Sequence, residues 1–308
     1  MRVAVIDCGT NTVRLYVAQT GATGQLEDRV RDLRFVRLGE GVDATGRFAP
    51  EALERLWVAL DEFADVIHRE QVDKVRFVAT SAARDVSNRD EFFAGVEARL
   101  GVPAEVISGD EEAELSFLGA LSGGELGPDA GDHVLVTDIG GGSTELILGN
   151  AAGVVLARVS VNIGSVRLRE RYLHDDPPRP DQVDQARHFV GQTLDGCGVP
   201  LTRVSTWIGV AGTCTSLAGM SLGLSAYDRD LVHGSVITAD RLRAMSDRLL
   251  TLSVSQTVAA YPSLPPMRAE VICAGALIVE QIAARVGSDL QVRDTDILDG
   301  AARRLVGS

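Results

Sequence analysis

Nowhere in the 308 residues does an apolar run approach the roughly 20 residues a membrane-crossing helix needs, so no membrane partner is expected. The opening MRVAVIDCG carries one Arg and a short strand-like run. It lacks the basic head, longer apolar stretch and small-residue cleavage site of a secretory leader, and a cytoplasmic protein is expected. Cysteine is scarce: Cys8, Cys197, Cys214 and Cys273 lie far apart with no CxxC pair, which speaks against a zinc site or a disulfide framework and for reduced, mostly buried thiols. None of the five histidines has a partner at metal-ligand spacing, and no serine sits in a GxSxG elbow, so zinc chemistry and a serine triad find no support. Positive charge is also short. A net charge of −13 argues against general nucleic-acid binding, because a phosphate backbone needs clustered Lys and Arg, and any anionic ligand must be captured locally.

What is present is an ordinary globular composition, 45% hydrophobic and 24% charged, on a chain long enough for two domains. The pattern alternates strands and helices, the mark of an α/β fold. Strands are expected over residues 3–6, 13–18, 75–79, 104–107, 133–139, 144–148, 154–161 and 204–210, with an extended stretch near 33–38. Helical spacing predicts helices from Pro50 to about residue 67, and over 90–100, 110–121, 183–194, 241–252, 268–286 and 297–305. The Gly- and Pro-rich SGGELGPDAG, residues 122–131, is read as the boundary between domains 1–125 and 126–308.

An internal repeat supports that division. VIDCGTNTVRL, residues 5–15, aligns with VTDIGGGSTEL, residues 136–146: Asp7 falls on Asp138, Gly9 on Gly140, Thr12 on Ser143 and Leu15 on Leu146. Each copy reads as strand, acid, small-residue turn, strand. Such a turn can aim several backbone N–H groups at one point, and Thr10, Asn11 and Thr12 in one copy and Gly141, Gly142, Ser143 and Thr144 in the other suit phosphate oxygens. A pair of hairpins using Gly, Asn and Ser for geometry alone is the competing reading.

Acids beside a phosphate cradle repel the ligand unless a cation intervenes, which makes Asp7, Asp138 and Glu145 candidates for holding Mg²⁺; solvated acids at strand ends are the alternative. In ISGDEEAELSFLGAL, residues 107–121, Ser108 and Glu111 fit a capping box that puts Glu111 and Glu112 in a helix's first turn. Such acids ordinarily just favour the helix dipole, and only one facing a cleft becomes a general base. Arg84, in ATSAARDVSN, could grip two phosphate oxygens or simply lie on the surface. Thr213 and Thr215, in GVAGTCTSLAG, could bind phosphate at a helix start, or Gly212 there could serve close packing.

Taken together and in this order, these segments, with RAEVICAGALIVEQI and TDILDGAARRL, resemble the exopolyphosphatase and guanosine-pentaphosphate phosphohydrolase family, within the superfamily of acetate and sugar kinases, heat-shock ATPases and actin. They span nearly the whole chain. The resemblance implies two ribonuclease-H-like, actin-like ATPase domains facing across a cleft, with the last helix free to pack back on the first domain. It further implies a hydrolase that removes the terminal phosphate of inorganic polyphosphate with Mg²⁺, and with room for a monovalent cation such as K⁺ and for a homodimer. Glu112 matches the family's catalytic base, and Asp138 and Glu145 its metal-associated acids. Gly9 to Thr12 and Gly140 to Thr144 match its phosphate loops, and Arg84 an Arg of the substrate site, with Arg268 as a further contact to the chain.

This sequence departs from the family's pattern in three places. GTNT stands where Ser is frequent, and Ala211 where Gly is frequent. The extra helical domain of longer members is missing after TDILDGAARRL, so shorter chains are the expected substrates. pppGpp, which would yield ppGpp, presents the same terminal bond and is the alternative substrate. A small-molecule kinase and a non-catalytic nucleotide or polyphosphate sensor are the other readings.

Overall fold

The computed structural model describes the chain except Thr23, residues 81–82, 84–85, 125–130, Asp132 and Ser308. In the first half, strands β1 (Arg2–Cys8), β2 (Thr12–Thr20), β3 (Leu26–Phe35), β4 (Lys74–Ala79) and β5 (Ala104–Val106) form one sheet in the order β3-β2-β1-β4-β5. β2 runs antiparallel to both β1 and β3, and β4 and β5 continue in parallel from β1. The second half repeats this plan with β6 (Val134–Ile139), β7 (Thr144–Gly149), β8 (Val155–Val161), β9 (Thr206–Val210) and β11 (Leu290–Val292). A two-residue strand, β10 (Val236–Ile237), adds to its edge antiparallel to β11. Two sheets of one topology, one per half, make this a pair of ribonuclease-H-like α/β units.

Helices α1 (Val42–Thr45), α2 (Pro50–Arg69) and α3 (Arg89–Leu100) belong to the first half. Pro50 opens α2 at a position where its missing N–H costs nothing, and Leu53, Leu56, Leu60 and Phe63 recur on one buried face. That face and α3 cover one side of the first sheet. In the second half come α5 (Ser165–Tyr172), α6 (Pro180–Asp195), α7 (Ala211–Ser221), α8 (Arg229–Val232), α9 (Ala239–Leu249), α10 (Val254–Ala260) and α11 (Pro266–Val286), with α11 at the centre of the larger core.

The two remaining helices are exchanged. α4 (Gly109–Ser122), which closes the first half, lays Ala113, Phe117 and Ala120 on Val134, Val136, Ile147 and Ile208 of the second sheet. α12 (Ile297–Gly307), which closes the second half, lays Ile297, Leu298, Ala301 and Ala302 on Val3, Val5, Tyr16 and Ala18 of the first. The helices cross with their backbones nearly touching. A Cβ on Gly119 would stand 1.7 Å from the Asp296 carbonyl oxygen, and one on Gly300 would stand 2.0 Å from that of Leu115. The boundary expected between 125 and 126 lies outside the described residues.

Some expectations need correction. The extended stretch placed near residues 33–38 is the end of a strand that begins at Leu26 and stops at Phe35. Its LEDRVRDLRF is charged because β3 is an edge strand with no fully buried residue, so apolar periodicity is faint. The strand expected over 204–210 starts at Thr206, and α1, α5, α8, α10, β10 and β11 were not foreseen; each is too short for a periodic pattern. Among the described residues no helix is long and apolar enough to cross a membrane.

Candidate active site

Both small-residue turns are built alike. The Gly9 N–H donates to Thr12 O at 2.9 Å, and the Gly140 N–H donates to Ser143 O at 3.0 Å. Each turn is also gripped from behind by three amides. Val36 and Arg37 donate to Asn11 O and Gly39 to Thr10 O; Ser165 donates to Gly140 O, and Val166 and Arg167 to Gly141 O, all at 2.8–3.1 Å. To bring two successive amides onto one oxygen the chain takes Arg37 into the left-handed region, φ 50°. With carbonyls drawn backwards, amides are left forward: those of Asn11, Gly141 and Gly142 have no acceptor among the described residues. The turns meet across the cleft, where a Cβ on Gly141 would come within 2.9 Å of Thr10 Cβ.

Between them lies a cavity of about 530 Å³. Gly9, Thr10, Asn11, Thr12, Gly140, Gly141 and Ser143 lie on its wall, with Asp7, Arg14, Glu112, Asp138, Thr213, Thr215, Arg268 and Asp296. Gly142, Thr144 and Glu145 are not on that wall. Thr144, expected as a phosphate donor, instead spends its hydroxyl on Ile163 O at 2.6 Å because strand β7 has already turned it inward. The hydroxyls of Thr213 and Thr215 are likewise committed, to Ile139 O at 2.9 Å and Ala211 O at 3.1 Å. Ala211 itself has φ 64°, the left-handed geometry that explains why Gly suits the position. Arg84 lies outside the described residues.

The acids differ in a way the repeat itself encodes. Cross-strand register pairs Asp7 with Arg14 in the first half and Asp138 with Glu145 in the second. In the first pair charge is met within the protein: Asp7 Oδ2 accepts from Arg14 Nε at 3.1 Å and Nη2 at 2.6 Å. Arg14 Nη1 also donates to Asp296, 282 residues away, which caps α12 by accepting from the Leu298 N–H at 3.0 Å. Burial pushes the Asp7 carboxyl up and Arg14 only partly offsets it, while its Oδ1 is buried without a partner among the described residues. Burial also acts on Asp296, but there Arg14 and the Leu298 amide outweigh it and hold the carboxyl below its ordinary value.

In the second pair two like charges face each other. Asp138 Oδ2 accepts from Ser116 at 2.8 Å, and Glu145 Oε1 accepts from Ser160 at 2.7 Å, so neither has a cationic partner in these bonds. Burial, then the charge of Glu145 and that of Asp296, push Asp138 up to about 8. Such a pair fits a small divalent cation, which takes one or two carboxylates and completes its shell with water and substrate phosphate. Among the described residues Asp7, Asp138 and Glu145 do not form a cluster of three arranged to hold a metal, and Asp7 differs from the other two in being paired with Arg14.

The adjacent acids of α4 part company. Ser108 caps the helix, accepting from the Glu111 N–H at 3.1 Å, but the reciprocal half of the box is missing because Glu111 pairs with Arg76 at 2.9 Å. Glu112 turns the other way, is 7% exposed, and reaches the cavity. Arg268 Nη1 donates to Gly212 O at 3.1 Å and Ser216 Oγ at 2.9 Å, and its guanidinium lies over the Phe35 ring. Among the described residues it has no carboxylate partner, and burial followed by repulsion from Arg14 pulls it down to about 10. Such a group is a standing demand for an anion. Arg14 and Asp296 were overlooked in the sequence, although the repeat alignment already sets Arg14 against Glu145.

Two matching α/β halves that present amide-lined turns, an inward carboxylate and an unpaired guanidinium to one cleft define a phosphate-handling protein of the actin-like ATPase fold. Comparison with known proteins narrows this. The profile of the Ppx/GppA phosphatase family matches residues 16–298, and the chain belongs to that family. It is 48% identical over 321 residues to Exopolyphosphatase 2 of Mycobacterium tuberculosis, with 99% of each chain covered. The crystal structure of an exopolyphosphatase-like protein superposes with a TM-score of 0.94 at 40% identity, covering 99% of this chain and 97% of that one. An exopolyphosphatase from Cytophaga hutchinsonii gives a TM-score of 0.88 at 26% identity over 100% and 98% of the two chains.

Proposed function

We propose that this chain is an exopolyphosphatase, hydrolysing the terminal phosphoanhydride bond of inorganic polyphosphate and releasing orthophosphate, with short chains preferred. One observation carries the reading: both turns, Glu112 and Asp138 share the wall of a single cavity. The terminal phosphate sits between the turns, its oxygens facing the forward amides and the Ser143 hydroxyl. Arg268, and Arg84 by its place in the family motif, take the oxygens of the following phosphates.

Glu112 accepts a proton from a water as that water's oxygen attacks phosphorus. The P–O bond to the rest of the chain breaks, and its electrons leave on the bridging oxygen, now terminal on the shortened polyphosphate. Phosphoryl transfer asks a protein chiefly for positioning and charge stabilisation, which preorganised amides and a guanidinium provide. Asp138, supported by Glu145, would hold Mg²⁺, which supplies charge neutralisation at the phosphate oxygens.

The test is phosphate release with Mg²⁺ from short polyphosphate, long polyphosphate, pppGpp and ATP by the parent and by Glu112→Gln. The parent should favour short polyphosphate, and the variant should lose about 10²- to 10⁴-fold in kcat while still binding substrate. An equally active variant would remove Glu112 from its role, and a preference for pppGpp would replace the substrate.

A further inference from the structure

The segments that back the two phosphate turns are also the segments that join the two halves on this side of the cleft. Behind the first turn lies the loop after β3, which supplies the amides of Val36, Arg37 and Gly39; behind the second lies the N-terminus of α5. Arg37 forms an ion pair with Glu270 of α11. Four residues beyond Gly39, Asp43 forms ion pairs with Arg167 at 3.2 Å and Arg171 at 2.6 Å, both on α5, and accepts a hydrogen bond from the latter. The Gly41 N–H donates to Glu170 of the same helix at 3.3 Å.

We propose that this cross-cleft set is a latch that positions the two phosphate turns against each other, with Arg37, Asp43 and Glu270 as positioning residues. The physical reason is connectivity. Because the latch bonds leave from the same short segments whose amides grip the turn carbonyls, the halves cannot separate here without moving one turn away from the other. Thr10 and Gly141, now in contact, would part first. Arg37, Glu170 and Glu270 line a second cavity of about 300 Å³ that shares Thr10, Asn11 and Val271 with the first.

Partly exposed ion pairs each bias an equilibrium by only about 1.4- to 5-fold, so the set is strong enough to favour closure and weak enough to let substrate and product pass. Arg37 carries left-handed strain at the point where turn support and latch coincide, as expected of a position held for function.

When part of the protein is open, apparent affinity falls in proportion to the closed fraction while turnover in the closed complex is unchanged. Single reversals, Arg37→Glu or Glu270→Arg, should therefore raise KM for polyphosphate about tenfold with kcat within twofold. The double reversal should restore KM, which a merely structural role would not produce. Asp43→Asn, milder for folding, should raise KM about threefold and reduce its dependence on salt relative to the parent.

The kinetic arm rests on the hydrolase reading, so a second arm is independent of it. Small-angle scattering of the substrate-free protein should show a larger radius of gyration for each single reversal and the parental value for the double. Unchanged radii, or a double variant no better than the singles, would overturn the latch. Absence of phosphate release from the parent, with the scattering pattern intact, would overturn only the reaction.

Discussion

Arg268 and Asp138 are the two residues whose charge the fold leaves most visibly unanswered, and each makes a prediction. A half-buried guanidinium without a carboxylate partner among the described residues is costly to keep, so replacing it should not harm the fold. Arg268→Met should leave the melting temperature unchanged or raised. It should also lower kcat/KM on polyphosphate by about tenfold or more, the scale of a charge-assisted hydrogen bond. A melting temperature that fell along with activity would make Arg268 a structural residue.

Asp138 has the opposite problem. Its carboxyl is raised from 3.8 to about 8, chiefly by burial, so the folded state keeps a proton that the unfolded state has released. Stability of the metal-free protein should consequently fall as pH rises from about 4 to about 8 and level off above. Thermal melts in a chelator should show this slope, Asp138→Asn should flatten it, and Mg²⁺ should raise the melting temperature more at pH 8 than at pH 6. Both residues were legible as candidates because Asp138 sits in the repeated DxG motif and Arg268 in a family segment. Their electrostatic condition was not, since it depends on neighbours far away in sequence.

At the scale of elements the turns were the most legible part, because their geometry is set by Gly and small polar residues within a few positions of each other. What backs them was not: the loop 36–39 and the first turn of α5 carry no motif, and α5 is an eight-residue helix with no strong periodicity. The EE pair shows the same limit. Both acids fit the first turn of α4, and only the rotation of that helix against the second sheet sends Glu112 to the cavity and Glu111 to Arg76.

The crossing of α4 and α12 is the element most exposed to a single change. A methyl at Gly119 would meet a carbonyl of the partner segment at 1.7 Å, backbone against backbone with no flexible side chain to yield. Gly119→Ala should cost about 3 kcal/mol or more, at or beyond the upper end of ordinary overpacking, despite the better helix propensity of Ala. Denaturant unfolding would measure it. A neutral result would mean the helices can slide apart.

For the whole molecule the exchanged helices matter more than the symmetry of the halves. Without α12 the first sheet exposes Val3, Val5, Tyr16 and Ala18, and without α4 the second exposes Val134, Val136, Ile147 and Ile208. Neither half has a closed core by itself. Residues 1–125 expressed alone should bind a hydrophobic dye and give poorly dispersed amide signals, and the intact chain should unfold in one transition. Mixing with residues 126–308 should restore native signals if the crossing is the organising contact. A separately folded first half would contradict this.

The sequence by itself determined the alternation of strands and helices, the duplication, and the two turns with their acids, because these follow from apolar period and from the backbone freedom of small residues within a few positions. Tertiary structure decided which charges are answered. Arg14 neutralises Asp7 across one strand pair and reaches Asp296 from the far end of the chain, whereas Asp138 takes a hydroxyl from Ser116 and faces the like charge of Glu145 across its own strand pair. Strand register fixed the first difference and the exchange of α12 the second. A carboxylate's state depends on burial and on charges within a few ångströms, and those distances exist only once the chain has folded.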